Sequence, residues 1–222
     1  MEDFIKDFAQ CPICGKEFSY NKVSSPSIKV SSYDLDLKPE YRTINVSLFS
    51  VITCPNCYFT FQEKDKSDII NYVNNNENFS KIVQFLEYIG KTYSSKVDNS
   101  SNKSSDFYRD QLFLAGEIYS ILGLSLEVVK IMIKLSWYYR EKNDEEKELG
   151  ILYYCGKLLE REYQNILNED DFIFALFYLG YINYRLDRKK EAAKYLDYLL
   201  KKYKSSSNPY LKAAKNLRGE LR

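Results

Sequence analysis

Histidine is absent from the 222 residues of this sequence, and that single absence excludes much of enzyme chemistry. Without histidine the chain can contain no Ser-His-Asp triad, no Cys-His nucleophile pair, no HExxH zinc protease and no histidine-ligated metal site. An excess of one charge is also lacking, because 32 Lys and Arg residues face 31 Asp and Glu residues. The chain as a whole therefore has no strong field to draw it to nucleic acid or anionic lipid.

Long apolar runs are missing too. The nearest candidate for a membrane span, residues 118–137, is interrupted by Glu127, Lys130 and Lys134. Residues 1–10 have neither the basic start nor the apolar run of a secretory signal. We therefore expect a cytoplasmic protein that does not enter a membrane. In that reducing compartment the five cysteines are not expected to form stable disulfides, so they need another explanation.

Four of the five cysteines form two Cys-Pro-x-Cys units. The four are Cys11, Cys14, Cys54 and Cys57. Two residues between cysteines let both thiolates of a tight turn face one point, and two such turns supply a tetrahedral shell of four sulfurs. Zinc fits this shell best, and iron in a rubredoxin-like site is the competing metal. Because all four positions are filled by protein, the site is predicted to be structural rather than catalytic.

The residue after each cysteine unit bears on the shape of its turn. Gly15 follows the first unit and can adopt the positive φ that such a turn needs. Tyr58 occupies the equivalent place after the second unit, which predicts either a different backbone path or local strain. Phe18 is placed to pack beneath the metal.

Alternating apolar residues between the two units predict short strands. The strand segments are residues 28–30, 44–48 and 51–54, with turns at residues 24–27 and 34–40. A module covering residues 1–66 is too small for its core alone to be stable, so a metal worth about 10–16 kcal/mol would supply most of its folding energy. We interpret residues 1–66 as a zinc-ribbon-like β module.

The rest of the chain has helical periodicity. Residues 67–93 read as connecting helices, the Ser/Asn-rich residues 94–106 as a flexible linker, and residues 107–222 as a helical-repeat domain. Residues 112–118 and 176–182 are similar at an offset of 64, about two units of tetratricopeptide length.

Particular residues define this repeat. Gly116 and Gly180 lie at matched positions, and 12 residues after each glycine comes a small or β-branched residue, Val128 or Ala192. Gly150 marks a middle copy without the second small residue, which predicts one long helix over residues 144–166. Glycines at matched helical positions favour close packing between helices.

Charge is uneven along the helical region. Residues 185–222 contain 12 basic and 4 acidic residues, a net charge of +8. Such a terminus can form a patch for nucleic acid or an acidic partner, although solvated lysines at helix ends are the commoner case. The cysteine module adds no support for nucleic acid, since residues 1–66 hold 8 basic and 9 acidic residues.

Several motifs together resemble the bacterial domain-of-unknown-function 2225 family. They are CPICGKEF, the spacer containing Tyr33-Asp34-Leu35-Asp36 and Tyr41, CPNCYFTFQEKD, and LSWYYREKNDEEKE. The resemblance covers nearly the whole chain and implies that the four cysteines of the two units are metal ligands. The chain departs from the family pattern at Tyr58, where glycine is usual, and lacks an additional cysteine expected near Leu37.

The sequence thus predicts an α+β protein: a four-cysteine zinc-ribbon-like module followed by a mainly helical, tetratricopeptide-like region. We interpret it as an interaction scaffold or adaptor for a protein or peptide partner, with a structural zinc ion. The alternative is a nucleic-acid-associated factor that uses the ribbon and the basic C-terminal helices. A catalytic role is not predicted; Asp34, Asp36 and Glu40 are the carboxylates an enzyme would use, and they read more readily as turn residues.

Overall fold

The computed structural model describes residues 2–74, 76–92 and 96–221, which form six short strands and then eight α-helices. The strands are β1 (Phe4–Gln10), β2 (Glu17–Val23), β3 (Val30–Tyr33), β4 (Pro39–Tyr41), β5 (Val51–Thr53) and β6 (Thr60–Gln62). The helices are α1 (Ile69–Asn74), α2 (Phe79–Thr92), α3 (Ser105–Ile121), α4 (Ser125–Glu141), α5 (Glu145–Glu162), α6 (Glu169–Arg185), α7 (Lys189–Lys202) and α8 (Pro209–Glu220). This order confirms the predicted α+β class.

The strands form three two-stranded sheets, each made of consecutive strands. In the antiparallel pair β1–β2, Phe4 lies opposite Val23 and Gln10 lies opposite Glu17. In the antiparallel pair β5–β6, Val51 lies opposite Gln62. Each of these two hairpins carries one cysteine unit in its connecting loop.

The strand predictions were correct only in part. Val30 and Val51 begin strands, but Val46–Phe49 form a short 3-10 turn instead of a strand. The Asn45 side chain accepts a hydrogen bond from the Ser47 N–H, and such local bonds favour a turn over an extended strand. The longest pair, β1–β2, was not predicted from sequence.

The chain divides into two compact units, each made of two separate stretches of sequence. Unit 1 comprises Met1–Lys29 and Tyr41–Tyr138, and unit 2 comprises Val30–Glu40 and Tyr139–Arg222. Most of the β3–β4 hairpin therefore groups with the C-terminal helices and not with the cysteine loops. The ranges 1–66, 67–93, 94–106 and 107–222 remain predictions about which parts fold independently.

Within unit 1, the segment before α3 contacts the strands. The Asn21 N–H donates to the Asn99 carbonyl at 3.0 Å, and Asn99 Nδ2 donates to the Thr53 carbonyl at 2.8 Å. Lys103, only 6% exposed, donates from Nζ to the Val51 carbonyl at 3.0 Å. Asn99 and Lys103 are therefore held against the strands, whereas the linker was expected from composition to be solvated throughout; Ser100 and Asn102 are exposed. Residues 93–95 lie outside the described residues.

The two similar stretches of sequence lie in helical hairpins, residues 112–118 in α3–α4 and residues 176–182 in α6–α7. Each hairpin turns at a residue with positive φ, Gly123 (76°) or Asp187 (55°), and these two positions are again 64 apart. A Cβ atom added at Gly180 would lie 2.6 Å from Leu196 Cδ2, so α6 and α7 approach closely at this glycine.

The middle copy is one long helix, as predicted. Helix α5 (Glu145–Glu162) begins after Asp144, whose side chain accepts from the Lys147 N–H. The close packing expected at Gly150 was wrong, because Gly150 is exposed and nothing lies within 4 Å of its Cβ position. The close approach lies at Gly156 instead, where an added Cβ atom would lie 3.1 Å from Ile182 Cγ2.

Across residues 2–74, 76–92 and 96–221, no helix combines the length and apolar character that crossing a membrane requires. The apolar stretch noted at residues 118–137 is divided between α3 and α4 by the turn at Gly123.

Candidate metal centre

The two cysteine units lie in loops of equal length. The first loop, residues 11–16, joins β1 to β2, and the second, residues 54–59, joins β5 to β6. The strand register sets both lengths, because Gln10 pairs with Glu17 and Thr53 pairs with Thr60. Each loop therefore begins with the first cysteine of its unit.

The backbone of the two loops follows the same hydrogen-bond pattern. In each, the first cysteine donates its N–H to the carbonyl five residues later and accepts, at its own carbonyl, from the N–H four residues later. The four bonds are Cys11 N to Lys16 O (3.0 Å), Gly15 N to Cys11 O (2.9 Å), Cys54 N to Phe59 O (2.8 Å) and Tyr58 N to Cys54 O (2.9 Å). Two different sequences thus fold into equivalent turns.

Tyr58 takes the left-handed conformation that Gly15 takes in the first loop, with φ of 63° and 69° respectively. A residue with a Cβ atom pays roughly 1–2 kcal/mol for this conformation. Of the two outcomes expected from the sequence, Tyr58 therefore shows local strain and not a different backbone path.

The equivalent turns bring four sulfur atoms together. The Sγ atoms of Cys11, Cys14, Cys54 and Cys57 all lie within 4.8 Å of one another. Two of the sulfur pairs join one loop to the other, Cys11 to Cys57 at 3.4 Å and Cys14 to Cys54 at 3.7 Å. Sulfurs about 2.3 Å from a tetrahedral zinc ion would be about 3.8 Å apart, so these separations suit such an ion.

The cluster is buried on one side only. Cys11 and Cys54 are 1% and 0% exposed, Cys57 is half-buried and Cys14 is exposed. Hydrogen bonds from the thiols of Cys11 and Cys57 lower the pKa of Cys54 well below its usual range, and they favour the thiolate there. The same contacts with Cys11 and Cys54 raise the pKa of Cys57.

Other side chains support the two loops. Phe18 and Phe59 are 6% and 0% exposed, which gives the loops an apolar base. Lys16 Nζ donates to Asn56 Oδ1 at 3.3 Å and links one loop to the other. The donor set, spacing and support suit a thiophilic tetrahedral ion, so the four cysteines form a candidate metal site.

Over residues 4–221 the chain matches the family described as "Uncharacterized protein conserved in bacteria (DUF2225)". The chain belongs to this family. The match extends over both cysteine units and all eight helices, and it confirms the resemblance seen in the sequence motifs.

A relative from Borreliella burgdorferi, named "Uncharacterized protein", is 24% identical over 170 residues. The aligned region covers 68% of this chain and 57% of the relative, so the chain spans little more than half of that protein's length. No solved structure matches the chain.

The carboxylates noted in the sequence are engaged in ion pairs within unit 2. Asp36, 0% exposed, accepts two hydrogen bonds from the Arg140 guanidinium, at 3.1 Å and 2.8 Å. Asp34 accepts from Arg140 at 3.1 Å, and Glu40 pairs with Lys38. Asp34, Asp36 and Glu40 therefore serve as ion-pair partners, which suits a structural role better than proton transfer.

These contacts extend into a partly buried ion cluster that the sequence did not predict. Arg140 Nε donates to Glu148 Oε1 at 2.8 Å, and Arg185 donates to the same oxygen at 2.5 Å. Arg140 also donates to the Tyr181 hydroxyl at 2.6 Å. We call Asp36, Arg140, Glu148 and Arg185 the arginine cluster. Asp36 and Arg140 belong to two of the motifs that carry the family resemblance, which is the only sequence signal for it.

Proposed function

We propose that the protein is a cytoplasmic zinc-binding protein in which Cys11, Cys14, Cys54 and Cys57 ligate one structural zinc ion. The observation that carries this proposal is the set of four thiols from two equivalent loops, all within 4.8 Å. Four protein ligands leave no position for water or substrate, so the ion would stabilise the loops without reacting. Each loop would then depend on the other through the ion.

The proposal is tested by measuring the metal content of the purified full chain with elemental mass spectrometry. One zinc ion per chain is expected, with none bound by a Cys54→Ser variant. Cys155→Ala is the matched control, because Cys155 lies buried in α5, outside the four-cysteine cluster. Equal zinc content in the Cys54→Ser variant, or none in the natural chain, would contradict the proposal. If the bound metal is iron, recognised by its visible absorption band, the competing metal is the correct one and zinc is not.

We further propose that the helical region serves as a binding surface for a protein or peptide partner. Large apolar side chains are exposed on or beside its helices, among them Tyr153 (46%), Tyr154 (43%) and Leu167 (98%). Tyrosines are among the residues that typically anchor protein interfaces. Helical repeats commonly present such surfaces to peptides.

This interaction role is tested in cells with a photo-cross-linking amino acid placed, one position at a time, on exposed sites of α3 to α8. Discrete protein adducts at neighbouring positions are expected. Adducts to nucleic acid in place of protein would instead favour the nucleic-acid-associated factor, whose support is the net charge of +8 over residues 185–222. Absence of any adduct would contradict both roles.

A further inference from the structure

Unit 2 contains a cleft of about 520 Å³ that is lined by α6, α7 and the 3-10 turn after α5, Tyr163–Asn165. Four aromatic rings line it: Tyr163, Phe172, Tyr195 and Tyr198. The Tyr163 ring stands perpendicular to Tyr195 at a centroid distance of 6.2 Å and lies 6.4 Å from Phe172. The walls are therefore apolar, and contacts between rings fix their orientation.

Two lysines also line this cleft. Lys202 Nζ lies 4.3 Å from the centroid of the Phe172 ring and 5.7 Å from that of Tyr198. Lys194 is exposed one turn before Tyr198 on the same helix. In the described part of the chain neither lysine forms an ion pair with a carboxylate. The cleft therefore combines apolar walls with two positive charges that are not neutralised by an ion pair.

Of the two glutamates close to Tyr195, one is already paired with a lysine that does not line the cleft. Glu160 and Glu191 are close enough to Tyr195 to raise the pKa of its hydroxyl, an effect to which burial contributes most. Glu160, however, is paired with Lys157 at 2.9 Å. The wider region is basic, with 12 basic and 4 acidic residues over 185–222.

An exposed leucine lies in the segment of chain that joins two residues of the cleft. Leu167 is 98% exposed and lies in the loop between Gln164 and Phe172, both of which line the cleft. A nucleic-acid backbone offers phosphate and sugar and gives a leucine side chain little to pack against, whereas peptide side chains can cover it. Charge and apolar surface together favour an acidic peptide over a nucleic acid.

We propose that this cleft, which we call the tyrosine cleft, binds an acidic peptide segment that inserts an apolar or aromatic side chain between the rings and places a neighbouring carboxylate near Lys194 and Lys202. The inference rests on the proposed interaction role and specifies its surface and partner chemistry. A volume of about 520 Å³ has room for one large side chain and adjacent backbone. Partner charge would orient the peptide, and ring contact would supply most of the affinity.

The test uses the purified full chain and a displayed library of random short peptides. Selected peptides are expected to share an Asp or Glu close to a Phe, Trp or Leu. Their affinity for a Lys194→Glu/Lys202→Glu variant should fall by about tenfold or more, and for Tyr198→Ala by several-fold. Tyr198 is 47% exposed, so its truncation should leave the fold intact, and thermal unfolding of each variant checks this.

The matched control is Lys189→Glu/Lys190→Glu, which makes the same charge change at exposed positions of α7 that do not line the tyrosine cleft. Less than about a twofold change is expected for it. Equal losses in the control and cleft variants, or selected peptides without acidic residues, would overturn the proposal.

A single-stranded oligo(dT) probe separates the remaining outcomes. If it binds more tightly than the selected peptides and loses affinity in the cleft variant, the tyrosine cleft is a nucleic-acid site and the peptide proposal is wrong. Selected peptides that bind all variants equally would place the interaction elsewhere; the proposed interaction role would then survive and the tyrosine cleft would not. Failure of the interaction role itself is read from the cross-linking experiment.

Discussion

Each unit of this protein contains a polar cluster that joins segments far apart in sequence, but the two clusters use opposite chemistry. In unit 1, two loops contribute four thiols whose sulfurs lie within 4.8 Å. In unit 2, Arg140 bridges the carboxylates of Asp36 and Glu148, and Arg185 pairs with Glu148. The arginine cluster contains both charge signs, whereas the cysteine cluster contains groups that can only become negative.

The difference indicates which of the two clusters needs a bound metal ion. Four thiolates within one site repel each other, and a bound cation removes that repulsion. The arginine cluster needs no ion, because its two guanidinium groups neutralise its two carboxylates. We therefore expect unit 1 to depend on metal and unit 2 to depend on its own ion pairs.

The largest expected effect is metal removal. Treatment with a zinc chelator, or the Cys54→Ser substitution, should remove protection from hydrogen exchange at β1–β2 and β5–β6, since structural zinc contributes about 10–16 kcal/mol in small modules. Residues 145–220 of unit 2 should keep their protection. If both regions lost protection to the same degree, the expected difference in metal dependence between the two units would be contradicted.

The next largest effect is expected from Asp36→Asn. The substitution keeps the side-chain shape but removes a buried charge, so the free energy of unfolding measured in urea should fall by about 3–5 kcal/mol. Asp34→Asn is the matched control, because the Asp34 side chain contacts the same Arg140 but is 37% exposed. A loss below about 1 kcal/mol is expected for the control, and equal losses would contradict a buried-charge effect.

The pH dependence of stability tests the difference between the two units at a buried cation, Lys103 of unit 1. Burial lowers the pKa of Lys103 from 10.5 to about 7, whereas at Arg140 the hydrogen bonds and charge of Asp36 outweigh burial and raise the pKa. Between pH 7 and 10.5 the unfolded state binds the Lys103 proton and the folded state does not, so the free energy of unfolding should rise with pH.

The measurement is urea unfolding at several pH values for the natural chain and for Lys103→Met. Across this window the natural chain should gain up to about 1.4 kcal/mol more per pH unit than the variant. Below pH 7 the lysine is protonated in both states, and the difference between the two chains should stop changing. Parallel curves through the whole window would show that Lys103 keeps its proton when folded.

The smallest expected effect compares the two helical hairpins. At Gly180 an added Cβ would lie 2.6 Å from Leu196, whereas at Gly116 it would meet Met132 at an ordinary 3.7 Å. Gly180→Ala should therefore lower the free energy of unfolding by about 1–3 kcal/mol, and Gly116→Ala should be neutral or stabilising by up to about 1 kcal/mol. Chemical denaturation measures both. Equal effects would mean that the two hairpins pack alike.

The arrangement of the cysteine loops could be predicted from the sequence only in part. The spacing of Cys11, Cys14, Cys54 and Cys57 predicted that they would meet, because two residues between cysteines constrain a turn locally. The strain at Tyr58 was one of two outcomes that the sequence left open, and the observed φ of 63° decided between them. The hairpins that carry the loops were missed in part, since exposed Ile5 and Phe8 hide the alternation of β1.

Contacts between distant segments were the hardest to predict. Composition made residues 94–106 look like a solvated linker, yet Asn99 and Lys103 pair with carbonyl groups of β5. Polar side chains of this kind are equally suited to water and to buried partners, so composition alone does not decide which they meet.

The sequence by itself determined the features with a local cause: the helices, the offset of 64 residues and the two cysteine turns, because periodicity and spacing act over a few residues. Tertiary structure alone decided that Asp36 meets Arg140, that the β3–β4 hairpin groups chiefly with the C-terminal helices, and that aromatic rings and lysines share the tyrosine cleft. These contacts join residues far apart along the chain, and ion pairs and ring contacts have no fixed spacing in sequence that would reveal them.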